Sequence, residues 1–191
     1  PEERKKWFWE NAPLYEVLLD TVVKHLPNPV EAQKYRIPKI WPGDENSEFG
    51  KGLMECDAKS EPSFVITNII IDPRSGKEIS AGRLFSGTLN PGMEVYLNNA
   101  KQKQRIQQVL IYNGIKPEQI EGLPAGNVFA ISGLNAEPGE TVTISPQEPF
   151  ESIKHIFDPV ITKSISVNKP QDLPKLIEVL KKVGKEDPSL K

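Results

Sequence analysis

The sequence has few of the residues that form disulfides or bind metals in small proteins. Among 191 residues there is one cysteine, Cys56, and there are two histidines, His25 and His155. A single cysteine excludes an internal disulfide and fits a reducing, cytoplasmic compartment. With one isolated thiol and two separated imidazoles, no metal cluster of plausible spacing can be assembled. We therefore expect no metal, and no other cofactor, to bind within this chain.

Long apolar runs and a strong net charge are also missing. The longest apolar runs, such as "VITNIII" at residues 65–71, are strand-sized, far below the roughly 20 residues that span a bilayer. No secretory signal opens the sequence, and the mean hydropathy is -0.44. The net charge of -2 predicts no overall attraction to nucleic acid, so any such role must come from a local patch. The sequence predicts no membrane partner.

Proline is abundant, and it separates short apolar runs. There are 18 prolines in the chain, which favours many short elements joined by turns. Between residues 61 and 148 at least six runs read as short strands, bounded by turn signals such as "DPRSGKE" and "NPG". Regular spacing of this kind predicts an all-β barrel or sandwich.

Three glycines favour the barrel over the sandwich. Gly82, Gly87 and Gly92 interrupt the strand-like stretch "AGRLFSGTLNPGMEVYL". Glycine weakens a strand, so each one indicates a bulge, a corner or a close backbone approach. Small closed barrels need such corners. We interpret the three glycines as structural turns of a closed β-barrel.

The segments before the barrel are read as a helix and a linker. "NAPLYEVLLDTVVKHLP" carries apolar residues at helical spacing, which predicts an amphipathic helix over residues 12–26. The preceding "RKKWFWEN" is open to two interpretations, a membrane-surface anchor or a polar turn whose aromatic side chains dock on neighbouring protein. Residues 28–60 show no sustained period and contain several prolines and glycines, so we predict an extended linker.

The segment after the barrel is predicted to be a strand followed by a helix. "PVITKSISV" at residues 159–167 reads as a strand, and "DLPKLIEVLKKVGKEDP" reads as a helix with one apolar face. One strand and one helix cannot bury a core. We therefore interpret this end as part of an incomplete α+β unit.

Motifs for catalysis or nucleotide binding fail on spacing. Gly50-Lys51 resembles a phosphate loop, but Gly52 replaces the required Ser or Thr and the upstream glycine is misplaced. Ser152 and His155 have no orienting acid or oxyanion site marked in the sequence. We expect no active site within this chain.

One group of cations stands out. Lys101, Lys103 and Arg105 alternate in "NNAKQKQRIQQ", and alternation in a strand puts all three on one face. Such a row can lie along a phosphate backbone. Equally, lysines on an edge strand deter aggregation. Arg74 and Lys77, in the "DPRSGKE" turn, are candidates to extend the patch.

Five segments, in order, resemble one known family. "PLYEVLLDTVVKHLPNPVEAQKYRI", "GRLFSGTLNPGMEVY", "RIQQVLIYNG", "LPAGNVFAISGL" and "DLPKLIEVLKKVGKEDP" are similar to the elongation factor 2 family of translocation GTPases. The compact "IIIDPRSGKEISAGRLFSG" hairpin favours an archaeal origin. The resemblance runs through nearly the whole chain from residue 13.

The resemblance implies a fragment of a ribosomal translocation GTPase. Residues 1–27 would end the GTPase domain, 61–148 would be the translation-factor-type β-barrel of the second domain, and 158–191 would begin a ferredoxin-like third domain. GTP and Mg²⁺ would bind the intact parent, outside this chain, so the fragment would not be an enzyme. The barrel would pack on the GTPase domain and dock on small-subunit ribosomal RNA, with Lys101, Lys103 and Arg105 as candidates for that contact.

A second function stays open. The chain could be an autonomous β-barrel adaptor that binds a protein partner through the apolar faces of its two flanking helices. Reversal of the charges on Lys101, Lys103 and Arg105 discriminates the two readings, because only ribosome docking should respond strongly to it.

Overall fold

The protein combines a curved antiparallel sheet with flanking helices. The computed structural model describes residues 2–72, 76–114, 116–151 and 161–187. The helices in these ranges are α1 Glu2–Asn11, α2 Leu14–His25, α3 Pro29–Ile40, α4 Glu48–Glu55 and α5 Leu173–Glu186. A short 3-10 turn, Pro170–Asp172, leads into α5.

Most strands lie where the alternation and turn signals predicted them. They are β1 Ser63–Ile71, β2 Glu78–Ser86, β3 Thr88–Leu89, β4 Glu94–Leu97, β5 Gln102–Arg105, β6 Gln108–Asn113, β7 Lys116–Ile120, β8 Leu123–Pro124, β9 Val128–Ser132 and β10 Thr141–Thr143. The larger sheet has the order β5-β4-β10-β1-β2-β9-β6-β7, while β3 and β8 form a separate pair. Every pair is antiparallel. The chain is therefore mainly β, as predicted.

Closure into a barrel is not confirmed by the strand pairing. Among the described residues no ladder joins β5 to β7, the two ends of the order. The sheet nevertheless curves strongly, because β5 runs into β6 through two consecutive residues that bond different strands. Ile106 N donates to Met93 O at 2.9 Å, and Gln107 N donates to Ser132 O at 2.9 Å. The chain therefore passes directly from β5, at one end of the strand order, to β6, next to the other end.

One apolar core fills the concave side of this sheet. Its members come from almost every strand and are nearly inaccessible to solvent; the largest fully buried ones are Phe64, Ile66, Ile69, Leu84, Leu89, Leu97, Ile106, Phe129 and Ile131. The rings of Phe64 and Phe129 meet edge-on, with centroids 4.9 Å apart. Burial of this apolar area is the main stabilising contribution to the strand-rich part of the chain.

A second core contradicts the predicted linker over residues 28–60. Helices α3 and α4 lie within that segment and bury Ile37, Trp41 and Leu53 against Val65 of β1 and Phe85 of β2. Asn28 and Ser47 cap the two helices by accepting from Glu31 N and Gly50 N. The linker prediction was wrong because the stabilisation is long-range packing, which local periodicity does not reveal.

The three marked glycines occupy tight places. Gly87 and Gly92 have φ values of 74° and 82°, in the left-handed region that favours glycine. Gly82 lies within β2, where an added Cβ would collide with the Val65 carbonyl oxygen and approach Cζ of Phe129 at 2.8 Å. Close backbone approach is therefore the reason for glycine at that position.

The first residues form a helix, and the predicted polar turn over "RKKWFWEN" is wrong. Helix α1 spans that segment, and Pro13 separates it from α2. Neither helix buries a residue, and both leave large apolar side chains exposed to solvent; the most exposed are Trp7, Phe8, Trp9, Leu14, Tyr15, Leu19 and Val23. In the described part of the chain, no helix is long and apolar enough to cross a membrane.

The C-terminal part consists of α5 and the extended residues before it. Over 161–167 the structure has no strand, which contradicts that part of the predicted strand; residues 159 and 160 lie outside the described ranges. The ferredoxin-like start is therefore not confirmed. Helix α5 contacts β1, and Lys185 Nζ lies 3.0 Å from the Glu78 carboxylate. This ion pair, together with the contacts to β1, ties the last helix to the sheet.

Candidate nucleic-acid interface

The predicted cation row lies on the β4–β5 hairpin. Register pairs Glu94 with Arg105 and Tyr96 with Lys103, and residues paired across antiparallel strands share a face. Val95 and Leu97 alternate with them and are buried in the main core. The hairpin therefore presents Glu94, Tyr96, Lys103 and Arg105 on its outer face.

The structure brings two of the three cations together on that face. Lys103 and Arg105 lie on β5 and are exposed, two residues apart. Lys101 is different, because it precedes the strand in the turn and has a φ of 54°. The prediction that all three alternate along one strand is therefore wrong for Lys101. A left-handed conformation at a lysine could not be read from alternation alone.

Local partners reduce the positive potential of the two strand cations. Lys103 Nζ lies 3.3 Å from Glu94 Oε1, with both side chains about two-thirds exposed; exposed pairs of this kind contribute about 0 to 1 kcal/mol. Arg105 Nε donates to Gly92 O at 2.8 Å. The guanidinium has further donors, so Arg105 can still contact a phosphate while held by the turn.

Lys101 is the free cation of the hairpin. Its side chain is exposed and forms no hydrogen bond or ion pair with any residue that the structure describes. It stands at the edge of a groove of about 680 Å³. The groove runs between the β4–β5 turn and the segment that leaves β10; its lining includes Tyr96, Asn98, Asn99, Gln147, Glu148 and Phe150.

Asn98 holds the two walls of this groove together. It is buried, and its Nδ2 donates to Thr141 O at 3.2 Å and to Thr143 Oγ1 at 2.8 Å. Its Oδ1 accepts from Gln147 N at 2.8 Å. The Asn98 side-chain amide thus bonds both β10 and the segment that follows it. These hydrogen bonds make the base of the groove rigid.

A buried carboxylate supports the same turn. Glu140 Oε1 accepts from Asn99 N at 2.8 Å. Burial raises the pKa of the Glu140 carboxyl above its ordinary value, while N–H groups of Asn99, Ala100 and Thr141 oppose that rise. The conformation of the turn that carries Lys101 therefore depends on a carboxylate from the neighbouring loop.

Two predicted residues remain, Arg74 and Lys77. Arg74 lies outside the described residues. Lys77 lines a different cavity, of about 300 Å³, together with Gln107 and Asn135. Sequence reasoning missed Tyr96, Asn99 and Gln147, which the fold brings beside Lys101; the "NN" pair before Lys101 was the one available signal.

Other candidate chemistry finds no geometric support in the described ranges. Gly50 and Lys51 lie inside α4, so the stretch that resembled a phosphate loop is helical. Ser152 and His155 fall outside the residues that the structure describes. Among those that it does describe, no three His, Cys, Asp or Glu side chains cluster as metal ligands would.

Comparison with known proteins shows what the chain is similar to. Residues 78–143, from β2 to β10, match the family model for elongation factor Tu domain 2. The chain is 51% identical to elongation factor 2 of Nanoarchaeum equitans over an alignment of 199 positions, which covers 100% of this chain and 27% of that protein. The chain is homologous to archaeal elongation factor 2.

Two further elongation factor 2 proteins show the same extent of similarity. Identity is 52% to that of Pyrococcus abyssi, over 95% of this chain and 25% of the relative. It is 50% to that of Archaeoglobus fulgidus, over 99% of this chain and 26% of the relative. The chain thus spans about a quarter of the length of the curated relatives it matches.

Proposed function

We propose that this chain is the part of an archaeal translation elongation factor that docks on small-subunit ribosomal RNA during GTP-dependent translocation. Identity near 50% to elongation factor 2 along the whole chain carries the proposal. The docking face is the β4–β5 hairpin with Lys101, Lys103 and Arg105. Exposed cations on a stiff hairpin can lie along a phosphate backbone and fix orientation without reading sequence.

The curved sheet serves as a rigid spacer in this proposal. The apolar core of the sheet and the second core beneath α3 and α4 hold it as one stiff body. We infer that it behaves as the barrel of a second domain, while residues 158–191 begin a third domain. The sequence suggests a hinge over residues 148–158, of which 152–158 lie outside the described residues, and rotation there would move the later domains relative to the RNA-bound sheet.

The exposed apolar faces of α1 and α2 are proposed to pack against the rest of the GTPase domain of the same parent protein. The side chains at the bend between the two helices line a cavity of about 460 Å³, which includes Phe8, Trp9, Leu14 and Leu18. A contiguous apolar surface of this kind marks a contact site. GTP and Mg²⁺ would bind that neighbouring domain, so this chain by itself would not be an enzyme.

Co-sedimentation with archaeal small ribosomal subunits across a salt series tests RNA docking. The variant reverses the hairpin charges by replacing Lys101, Lys103 and Arg105 with Glu. The matched control replaces three exposed lysines elsewhere, Lys116, Lys169 and Lys181, with Glu. We expect at least tenfold weaker binding for the hairpin variant, with the dependence of log K on log salt reduced by about one per lost phosphate contact.

Equal weakening by the two variants would show that only net charge matters and would remove the hairpin from the interface. Failure of the unmodified chain to sediment with the subunits at low salt would overturn the docking proposal itself.

The exposed helices favour one alternative, an autonomous β-barrel adaptor for a protein partner. Its binding would be apolar and would barely respond to charge reversal on the hairpin. Binding to the subunits that survives the hairpin variant and is lost when Trp9 and Leu18 are replaced by Ser would support this alternative.

A further inference from the structure

The groove beside Lys101 has the chemistry of a site for a single RNA base. We propose that it seats one unstacked nucleobase that carries an exocyclic amino group, with the adjoining phosphate on Lys101. This inference rests on the proposed docking of the hairpin on RNA and names the part of the RNA that the groove would hold.

An aromatic wall is available for stacking. Tyr96 lines the groove and is partly buried, and its backbone is held from both sides by Lys103 on β5 and Thr143 on β10. The paired strands give the ring a rigid backbone, and an aromatic face can stack on a base. Recognition of RNA bases in unpaired segments commonly uses aromatic faces of this kind.

The free polar atoms of the groove are mostly acceptors. Asn99 Nδ2 donates to Gly139 O at 3.3 Å, and Gln147 Nε2 donates to Ser145 Oγ at 3.2 Å. These bonds leave one amide N–H and the side-chain carbonyl oxygen of each residue for a ligand, and the carboxylate of Glu148 adds two more acceptor oxygens. Acceptors call for a donor, and the amino groups of cytosine, adenine and guanine supply one. Uracil has one N–H donor, at N3, and no amino group, so it satisfies fewer of these acceptors.

The cation determines where the phosphate lies. Glu148 repels a phosphate from the far wall, whereas Lys101 at the near edge is exposed and unpaired among the described residues. From there Lys103 and Arg105 continue along β5 toward the next phosphates. A mixed lining of two aromatic rings, amides, a carboxylate and a lysine suits a nucleotide better than an apolar side chain of a protein partner.

The test titrates the ¹⁵N-labelled 191-residue chain with cytidine and uridine hexaribonucleotides at low salt, observed by NMR. We expect the side-chain amide signals of Asn99 and Gln147 to move, and the cytidine hexamer to bind at least threefold more tightly than the uridine hexamer. Replacement of Tyr96 by Leu should weaken binding of the cytidine hexamer at least fivefold, while Tyr96→Phe, which keeps the ring, should restore it.

Tyr112→Leu is the matched control, because Tyr112 is an exposed tyrosine on β6 away from the groove lining. Equal affinity for the two hexamers, equal losses in Tyr96→Leu and Tyr112→Leu, or shifts confined to other residues would each overturn the base site. Circular dichroism of every variant excludes unfolding as the cause.

The two proposals can fail separately. If the unmodified chain sediments with small subunits and Tyr96→Leu does so equally well, the base site is wrong and docking stands. If the hexamers bind selectively in the groove and the chain does not sediment with the subunits, ribosome docking is wrong and the base site stands.

Discussion

Glu140 is the residue whose charge state most directly affects the turn that carries Lys101. Only 5% of it is exposed, and burial raises the pKa of its carboxyl above the ordinary value of 4.5. The folded protein therefore holds this proton more tightly than the unfolded chain does. The resulting stability is complete below 4.5 and is lost as the pH rises through the folded-state pKa.

Glu140→Gln isolates this effect, since other carboxylates titrate alike in both proteins. We expect the free energy of unfolding of the unmodified protein to rise relative to that of Glu140→Gln as the pH falls from neutrality toward 4.5. Urea unfolding at several pH values measures the difference. A difference that is constant with pH, or that changes in the opposite direction, would contradict the prediction.

Gly82, which is crowded, and Gly184, which faces open space, together test whether close backbone approach explains the glycine in β2. A Cβ at Gly82 would meet the Val65 carbonyl and the Phe129 ring, whereas nothing lies within 4 Å of a Cβ at Gly184 in α5. Gly82→Ala should destabilise the fold by about 1 to 3 kcal/mol. Gly184→Ala should stabilise α5 by about 0.5 to 1 kcal/mol. Thermal unfolding measures the first and hydrogen exchange of α5 measures the second; similar signs for both would refute this reading.

At the scale of elements, α3 and α4 test whether residues 28–60 are structural. Leu53 of α4 is fully buried, whereas Leu19 of α2 is 61% exposed. Leu53→Ala should therefore cost about 2 to 5 kcal/mol of unfolding free energy through lost contacts and a cavity. The same substitution at Leu19 should cost less than about 1 kcal/mol in this chain. Chemical denaturation of both variants provides the comparison, and equal losses would contradict a second core.

Helices α3 and α4 could not be predicted from the sequence, unlike most strands of the sheet. The strands of the sheet were predictable because alternation and Gly or Pro turns are local signals. Ile37, Trp41 and Leu53 carry no such signal, because Pro38 and Pro42 interrupt the pattern and their partners, Val65 and Phe85, are distant in sequence.

The candidate site was predictable only in its cations. Charge and spacing pointed to Lys101, Lys103 and Arg105. The groove depends on contacts that the fold makes, such as the bond from Gln147 N to Asn98 Oδ1, between residues far apart in the chain. A lysine with positive φ also breaks the alternation on which the row was predicted.

At the scale of the whole molecule, an ion pair to β2 helps to hold α5, which also contacts β1. Lys185 Nζ lies 3.0 Å from Glu78 Oε2 and donates to Asn135 Oδ1 at 2.6 Å. The side chains of Lys185 and Glu78 are only 25% and 23% exposed, so solvent screens this pair less than the hairpin pair. Any rotation of the C-terminal unit away from the sheet must break it.

Charge reversal of this pair tests the contact. Lys185→Glu should free α5 and speed its amide exchange by about 5- to 30-fold, which corresponds to roughly 1 to 2 kcal/mol. Lys182→Glu is the control, because its partner Glu178 lies in the same helix and its loss should cost only about 0.5 kcal/mol. Adding Glu78→Lys to Lys185→Glu should restore slow exchange. If the double variant exchanges as fast as Lys185→Glu alone, the pair does not hold α5 on the sheet.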